Sequence, residues 1–353
     1  MKIGRTEIHQ EGGTFIIAEL SCNHLGSYKV AEQTVKAMKE AGADCLKLQT
    51  DSLDDKGSTI DCDNRFFKIE GNTLWDGRNL FDLYKETYTP WEWHEPLFKL
   101  AEELGMEFFS TPYSPESADF LESLDVPAYK IASFELVDLP LVRHIAKKGK
   151  PLIMSTGMAE LEDIEAAVQA CREAGNSEIA LLKCTSSYPA RAEEANVRTI
   201  PNMIERFGVV CGVSDHTMGA AVPAASTALG GRIVEKHFIL DRKLGGPDGP
   251  FSMMPGEFKH MVDMIRDVEK ALGNVQYSLP AARKKQKIFG RSLFIVSPLE
   301  PGDTLTSENV RSIRPGYGMA PCMMKKVLGK RVNQKVERGT PLTEALLQAP
   351  VSE

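Results

Sequence analysis

Two short segments put a histidine where a strand would hand over to a loop: Gly212-Val213-Ser214-Asp215-His216-Thr217 and Val234-Glu235-Lys236-His237-Phe238. Each follows an apolar, β-branched run, Val209-Val210-Cys211 in the first case and Arg232-Ile233-Val234 in the second. Neutral imidazole is the commonest protein ligand for divalent ions, so His216 and His237, at matching ends of consecutive strands, are candidate metal ligands. The competing reading is a pair of partly buried histidines satisfied by the fold.

The ends of the other apolar runs carry a polar set: Glu19, Lys47, Lys130 with Ser133 and Glu135, Ser155-Thr156-Gly157, Lys183 with Thr185 and Ser186, and Ser214. Lys47 and Lys130 lie inside otherwise apolar strands, Cys45-Leu46-Lys47-Leu48 and Ala128-Tyr129-Lys130-Ile131. A lysine pointing into a barrel costs desolvation energy unless an anion offsets it. Together with the serines at adjoining strand ends, the two make a cradle for phosphate or carboxylate. Alternatively each lysine pairs with a carboxylate such as Glu19 or Glu135, and the serines cap the helices that follow. Asp248, central in the turn Gly245-Gly246-Pro247-Asp248-Gly249-Pro250, is either a grip for sugar hydroxyls or a turn aspartate.

The elements that must position these residues are legible as an alternation of apolar runs and amphipathic segments from Thr14 to Gly273, the pattern of a parallel sheet with crossover helices. Eight strands are predicted: Phe15 to Leu20, Asp44 to Gln49, Glu107 to Ser110, Ala128 to Ser133, Pro151 to Ser155, Ile179 to Thr185, Gly208 to Ser214 and Arg232 to Phe238. Helical patterns run over Ser27 to Ala41, His94 to Leu104, Pro115 to Leu124, Leu139 to Lys147, Glu160 to Ala174, Gly219 to Leu229 and Pro255 to Leu272. Eight such units close a (β/α)8 TIM barrel, with a doubly wound open sheet as the alternative, and a barrel keeps its chemistry at the strands' C-terminal ends. An insertion at about 51–89 breaks the rhythm and is either a lid or a decoration.

The expected division is a barrel over 1–275, a polar linker over 276–289 and a small domain over 290–353. The small domain contains an echo, Leu299-Glu300-Pro301-Gly302-Asp303-Thr304-Leu305-Thr306 against Val336-Glu337-Arg338-Gly339-Thr340-Pro341-Leu342-Thr343, which suggests a pseudo-two-fold axis.

A net charge of −7 in 353 residues argues against nucleic-acid binding, so an anionic ligand must be held by local positive charge. Seven cysteines without a CxxC pair, and a start lacking a signal-like apolar core, point to reduced thiols in the cytoplasm. No apolar stretch approaches the roughly 20 residues of a membrane span.

Over nearly its whole length the sequence resembles the sialic acid synthases, which condense phosphoenolpyruvate with an amino-sugar aldehyde. The motifs are Ile17-Ala18-Glu19 with Asn23-His24-Leu25-Gly26-Ser27, Lys47-Leu48-Gln49-Thr50, Phe109-Ser110-Thr111-Pro112-Tyr113, Ala128-Tyr129-Lys130-Ile131-Ala132-Ser133, Ser155-Thr156-Gly157-Met158, Ser214-Asp215-His216-Thr217 and Glu235-Lys236-His237-Phe238. The stretch from Glu300 to Gly318 is similar to type III antifreeze proteins, implying a C-terminal antifreeze-like (SAF, β-clip type) domain.

The resemblance implies Glu19 and Glu135 as catalytic carboxylates and Lys47, Lys130, Ser133, Ser155, Ser186 and Ser214 as the phosphoenolpyruvate site. It implies sugar contacts from Asn72, Tyr188, Asp248 and Arg314, and a divalent metal, manganese or magnesium, on His216 and His237 with no nucleotide cofactor. It further implies a domain-swapped homodimer in which Arg314 reaches the partner's sugar site.

Thr89-Pro90-Trp91-Glu92-Trp93-His94, Ile131-Ala132-Ser133-Phe134-Glu135 and Leu74-Trp75-Asp76-Gly77-Arg78 look most like the branch of the family that makes pseudaminic acid. N-acetylneuraminate enzymes carry His where this chain has Lys183, and often Asn where it has Ser186. N-acetylmannosamine and the legionaminate precursor are the alternative sugars. Barrel and histidines alone are also compatible with a metal-assisted hydrolase or aldolase, or with a noncatalytic binding protein.

Overall fold

The computed structural model describes residues 1–54, 57–71 and 73–349. It divides into a unit over Met1–Gly273 and a second over Asn274–Glu353. The N-terminus forms a small hairpin, β1 (Lys2–Ile3) with β2 (Thr6–Glu7).

Among the described residues, eight parallel strands then close into a barrel. They are β3 (Phe15–Glu19), β4 (Cys45–Thr50), β5 (Glu107–Pro112), β6 (Tyr129–Ile131), β7 (Leu152–Ser155), β8 (Ile179–Cys184), β9 (Val210–Ser214) and β10 (Ile233–His237), with β10 returning to β3. The closed barrel replaces the doubly wound alternative.

Side chains alternate along each strand, and the two faces separate cleanly. Ile16, Ala18, Leu46, Leu48, Tyr129, Ile131, Leu152, Met154, Leu181 and Val234 pack outward against the helix layer. Phe15, Ile17, Cys45, Phe109, Ala128, Ile153, Ala180, Leu182 and Ile233 fill the barrel's lower interior, where Ile3 and Ile8 join them beside the N-terminal hairpin. The next inward positions up the strands are polar: Glu19, Lys47, Lys130, Ser155, Ser214 and Glu235. An apolar plug therefore lies beneath a charged layer.

The connecting helices include α1 (Tyr28–Glu40), α3 (His94–Glu103), α4 (Pro115–Ser123), α5 (Leu139–Ala146), α6 (Leu161–Glu173), α8 (Ala221–Ala228) and α9 (Pro255–Leu272). Side-chain caps set several starts: Ser27 accepts from the Val30 N–H, and Ser114 and Ser117 form a reciprocal capping box. Two helices depart from the sequence pattern, α2 (Leu80–Thr87) inside the insertion and α7 (Thr199–Phe207). The latter carries Pro201, which is tolerated because it falls in the helix's first turn.

In the second unit β11 (Ser292–Ile295) pairs with β12 (Val310–Ile313). The sequence echo is laid out here as self-pairing: Leu299 and Val336, equivalent positions of the two copies, exchange backbone hydrogen bonds of 2.9 Å in both directions. Gly302 donates to Val332 and Gly339 to Ile295, again equivalent pairs. The segment expected as linker carries a short helix, Ala281–Lys284.

Gly212 lies where β9 meets β10, and a Cβ there would sit 2.0 Å from the Ile233 carbonyl oxygen. Gly212→Ala should therefore cost about 3 kcal/mol, the upper end of usual overpacking, because the obstructing atom is backbone. A denaturant midpoint equal to that of the parent chain would contradict this packing.

Candidate active site

The charged layer opens upward into a cavity of about 390 Å³. Barrel register explains who meets whom. Glu19 lies beside His237 on one side and Lys47 on the other, while Ser214 lies beside Glu235 and Cys184. The Lys47 ammonium is paired with Glu19 and lies 3.7 Å from Glu235 Oε1. Lys130 Nζ lies 3.7 Å from the same oxygen and donates to Ser155 Oγ at 2.7 Å. Ser214 Oγ completes the arrangement by donating to Glu235 Oε1 at 2.9 Å.

These charges set one another's ionisation. Burial would raise the Glu235 carboxyl, but the Lys130 and Lys47 ammonium groups outweigh it and hold it at about 2. Lys47 is depressed by burial and raised further than that by Glu19 and Glu235. Glu135 stands apart from the lysines' ion pairs: burial lifts it to about 7, and its Oε2 has no hydrogen-bond partner among the described residues. A carboxyl poised near neutrality and facing a cavity can give or take a proton.

Beside the lysines is a nest of small groups. The Gly157 N–H donates to Ser133 Oγ at 3.1 Å. A Cβ on Gly157 would lie 2.3 Å from Ser186 Oγ, 2.8 Å from Ser133 Oγ and 3.1 Å from Cys184 Sγ. Glycine is needed there so that the two hydroxyls can close around one point. Two ammonium groups and several hydroxyls make a setting suited to an anion of the phosphate or carboxylate class.

His216 and His237 face each other across the cavity, ring centroids 5.3 Å apart. His216 Nδ1 lies 3.0 Å from the Thr185 carbonyl, which places the proton on Nδ1 and the lone pair on Nε2. His237 Nδ1 lies 3.5 Å from Asp248 Oδ2, and Ser21 Oγ donates to that same oxygen. His216 thus has one nitrogen held by an oxygen acceptor and the other left over, as is usual in metal-ligating histidines, whereas His237 Nδ1 is buried near Asp248 without a hydrogen bond among the described residues.

Among the described residues no group of three or more His, Cys, Asp or Glu side chains gathers to hold a metal. The two imidazoles, with ring centroids 5.3 Å apart, are nitrogen donors of the kind a divalent ion takes, and an ion held there would draw its remaining ligands from water and substrate. Behind the histidines, the outward-facing Lys236 and Asp215 form a buried pair at 2.8 Å. Asp215 also accepts from the Thr217 N–H and hydroxyl, fixing the loop that carries His216.

The sequence matches the NeuB family over residues 34–277 and the SAF domain over residues 290–348. The chain belongs to the NeuB family. It is 41% identical over 345 residues to the pseudaminic acid synthase of Campylobacter jejuni, covering 98% of this chain and 99% of that one. The pseudaminic acid synthase of Helicobacter pylori is 42% identical, with 93% and 96% covered. Among solved structures, the N-acetylneuraminic acid (sialic acid) synthetase of Leptospira borgpetersenii in complex with citrate aligns with a TM-score of 0.71 at 26% identity, covering 81% of this chain and 94% of that one.

In this NeuB barrel Lys47, Lys130, Ser133, Glu135, Ser155, Tyr188, Ser214, His216, His237 and Asp248 line one cavity. Ser186 abuts Gly157 at its edge, and Glu19 is fully buried against Lys47. Asp248 is taken up by Ser21 and His237 and so orients an imidazole. Tyr188 packs its ring 4.5 Å from that of His216. Asn72 falls outside the described residues, and Arg314 is an exposed residue of the second unit.

Glu235 was not singled out from the sequence, although its place two residues before His237 puts it on the same inward face. Cys184 was missed too. Burial would raise its thiol, but hydrogen bonding and charge from His216, with Ser133 and Lys130, bring it down to about 7.

Removing Glu235 leaves two buried ammonium groups with one carboxylate between them. Glu235→Ala should destabilise the protein by about 3–5 kcal/mol in chemical denaturation. Added inorganic phosphate should recover part of that loss by binding the folded form. An unchanged midpoint would show that the lysines do not depend on Glu235.

Proposed function

We propose that this protein is a pseudaminic acid synthase, condensing phosphoenolpyruvate with 2,4-diacetamido-2,4,6-trideoxy-altrose and water to give pseudaminic acid and phosphate. One observation carries the reading: a lysine and serine anion cradle, a facing pair of imidazoles and a carboxyl poised near 7 share a single cavity. The identity to two pseudaminic acid synthases over nearly the whole chain supports the choice of sugar.

Lys47, Lys130, Ser133, Ser155, Ser186 and Ser214 hold the phosphate and carboxylate of phosphoenolpyruvate and so fix its methylene carbon against the sugar aldehyde. His216 and His237 would hold a divalent ion, manganese or magnesium, whose chemistry when bound is to polarise the aldehyde as a Lewis acid. The enol π electrons form the new carbon–carbon bond, the aldehyde oxygen takes a proton, and the former enol carbon is left cationic. Glu135 orients water onto that carbon and accepts its proton, and Glu19 stabilises the cation by charge or contacts the sugar. The tetrahedral intermediate then loses phosphate by carbon–oxygen cleavage.

The working form in this reading is a cytoplasmic homodimer, with Arg314 of one copy reaching the sugar's N-acetyl region in the other. Its support is the SAF match and the exposure of Arg314.

Incubating the protein with phosphoenolpyruvate, manganese and a panel of amino sugars, with phosphate release as readout, tests the function. Release should be fastest with the 2,4-diacetamido-2,4,6-trideoxy sugar, and release without any sugar would point to a hydrolase. His216→Ala and His237→Ala should each abolish divalent-dependent turnover; full activity of either in chelator would end the metal assignment. Because Glu135 must be ionised to accept a proton, kcat/KM should rise with pH through an apparent pKa near 7. Glu135→Gln should remove that limb and cut turnover by about 10²–10⁴-fold.

A further inference from the structure

The cavity has two unlike ends. Its floor is the charged layer, whereas one wall comes from the insertion and carries no charged group among the described residues, with Ile69, Trp75, Leu80 and Leu83 beside the hydroxyls of Thr73, Tyr84 and Thr87. Helix α2 sends Leu80, Leu83, Tyr84 and Thr87 into the cavity, positions spaced three and four apart that share one helix face. The opposite face, with Asp82, Lys85 and Glu86, is exposed. Ile69 and Trp75 extend the wall.

This wall is built rather than draped. Ile69 and Gly77 are joined by a backbone hydrogen bond of 2.8 Å, Ile69 also donates to the Arg78 carbonyl, and the Trp75 indole donates to the Pro247 carbonyl on the far rim. Among the described residues, neither the barrel's interior core nor its helix layer includes Ile69, Trp75, Leu80 or Leu83. Leu83 is nearly covered by protein and anchors the helix, whereas Ile69, Trp75 and Leu80 are half-buried and line the cavity.

Phosphoenolpyruvate is small and anionic and offers such a wall nothing. We propose that the apolar face of the insertion is the specificity element for the second substrate, reading the deoxygenated end of its carbon chain. The inference rests on the synthase reading above. The aldehyde carbon must sit at the floor beside the lysine cradle and the histidines, so the far end of a six-carbon chain extends toward the wall. A terminal methyl group is buried there at no polar cost, whereas a terminal hydroxyl would lose its water partners against Leu80 and Leu83.

The test compares kcat/KM for 2,4-diacetamido-2,4,6-trideoxy-altrose and its 6-hydroxy counterpart, which differ by one oxygen. Their ratio on one preparation is independent of the active fraction. The parent enzyme should prefer the deoxy sugar by about tenfold to a hundredfold, the range an apolar pocket achieves against an added hydroxyl. Leu80→Asn and Leu83→Asn keep the branched shape but offer hydrogen-bonding groups; they should lower the preference about tenfold and leave the KM for phosphoenolpyruvate unchanged. Ile69→Thr is a third, half-buried probe.

Equal use of both sugars by the parent enzyme, or an unchanged ratio in all three variants, would overturn the inference alone. Loss of activity toward both sugars together in every variant would do the same, since the wall would then be structural. Phosphate release with neither sugar in the parent enzyme would overturn the synthase reading and this inference with it.

Discussion

Two ammonium groups inside a closed barrel must be compensated, and the upper layer of this barrel is arranged around that requirement. Glu235 Oε1 stands between Lys47 and Lys130 at equal distances, with Ser214 filling a further acceptor direction. Its partner on the other side of Lys47, Glu19, is raised by burial and pulled back down by the Lys47 ammonium beside it. What remains is a site whose positive charge is offset enough to survive in the fold yet still open to an incoming anion. The apolar plug below, with Ile3 and Ile8 closing its base, excludes the water that would otherwise weaken these interactions.

The insertion places a second kind of surface opposite that charge. A barrel loop of ordinary length would leave the mouth open, whereas here a ladder and a short helix bring side chains back over it. The tie from Trp75 to Pro247 spans the cavity from the insertion to the loop after β10. Trp75, Tyr188 and Phe251 then form a continuous aromatic edge beside the two histidines.

Much of this was legible in the sequence because a parallel barrel writes its strands as apolar runs and its site at their ends. Lys47 and Lys130 were conspicuous as charges inside such runs, and His216 and His237 as matching terminal residues. Glu235 escaped because it lies between Val234 and Lys236 in a motif whose histidine drew the eye; alternation from His237 would have found it. The lysines' carboxylate partners were sought in Glu19 and Glu135, and the structure gives Glu19 and Glu235 instead.

Gly157 carries no side chain to notice, and its role follows from Ser133 after β6 and Cys184 and Ser186 at the end of β8, the two strands that flank β7. Helix α2 was hidden by its setting, since it lies inside an insertion that follows no strand-to-helix rhythm of the barrel. Asp248 and Ser21 lie 227 positions apart, a contact that only the closure of β10 onto β3 brings about.

The self-pairing of Leu299 with Val336 has a consequence for how the small domain is put together. The same applies to Gly302 with Val332 and Gly339 with Ile295: each copy of the motif leaves open the very donors and acceptors that the other supplies. Either half alone would leave these backbone donors and acceptors facing water. The two copies therefore complete one another, and the small domain's ladder closes only when both are present in the fold.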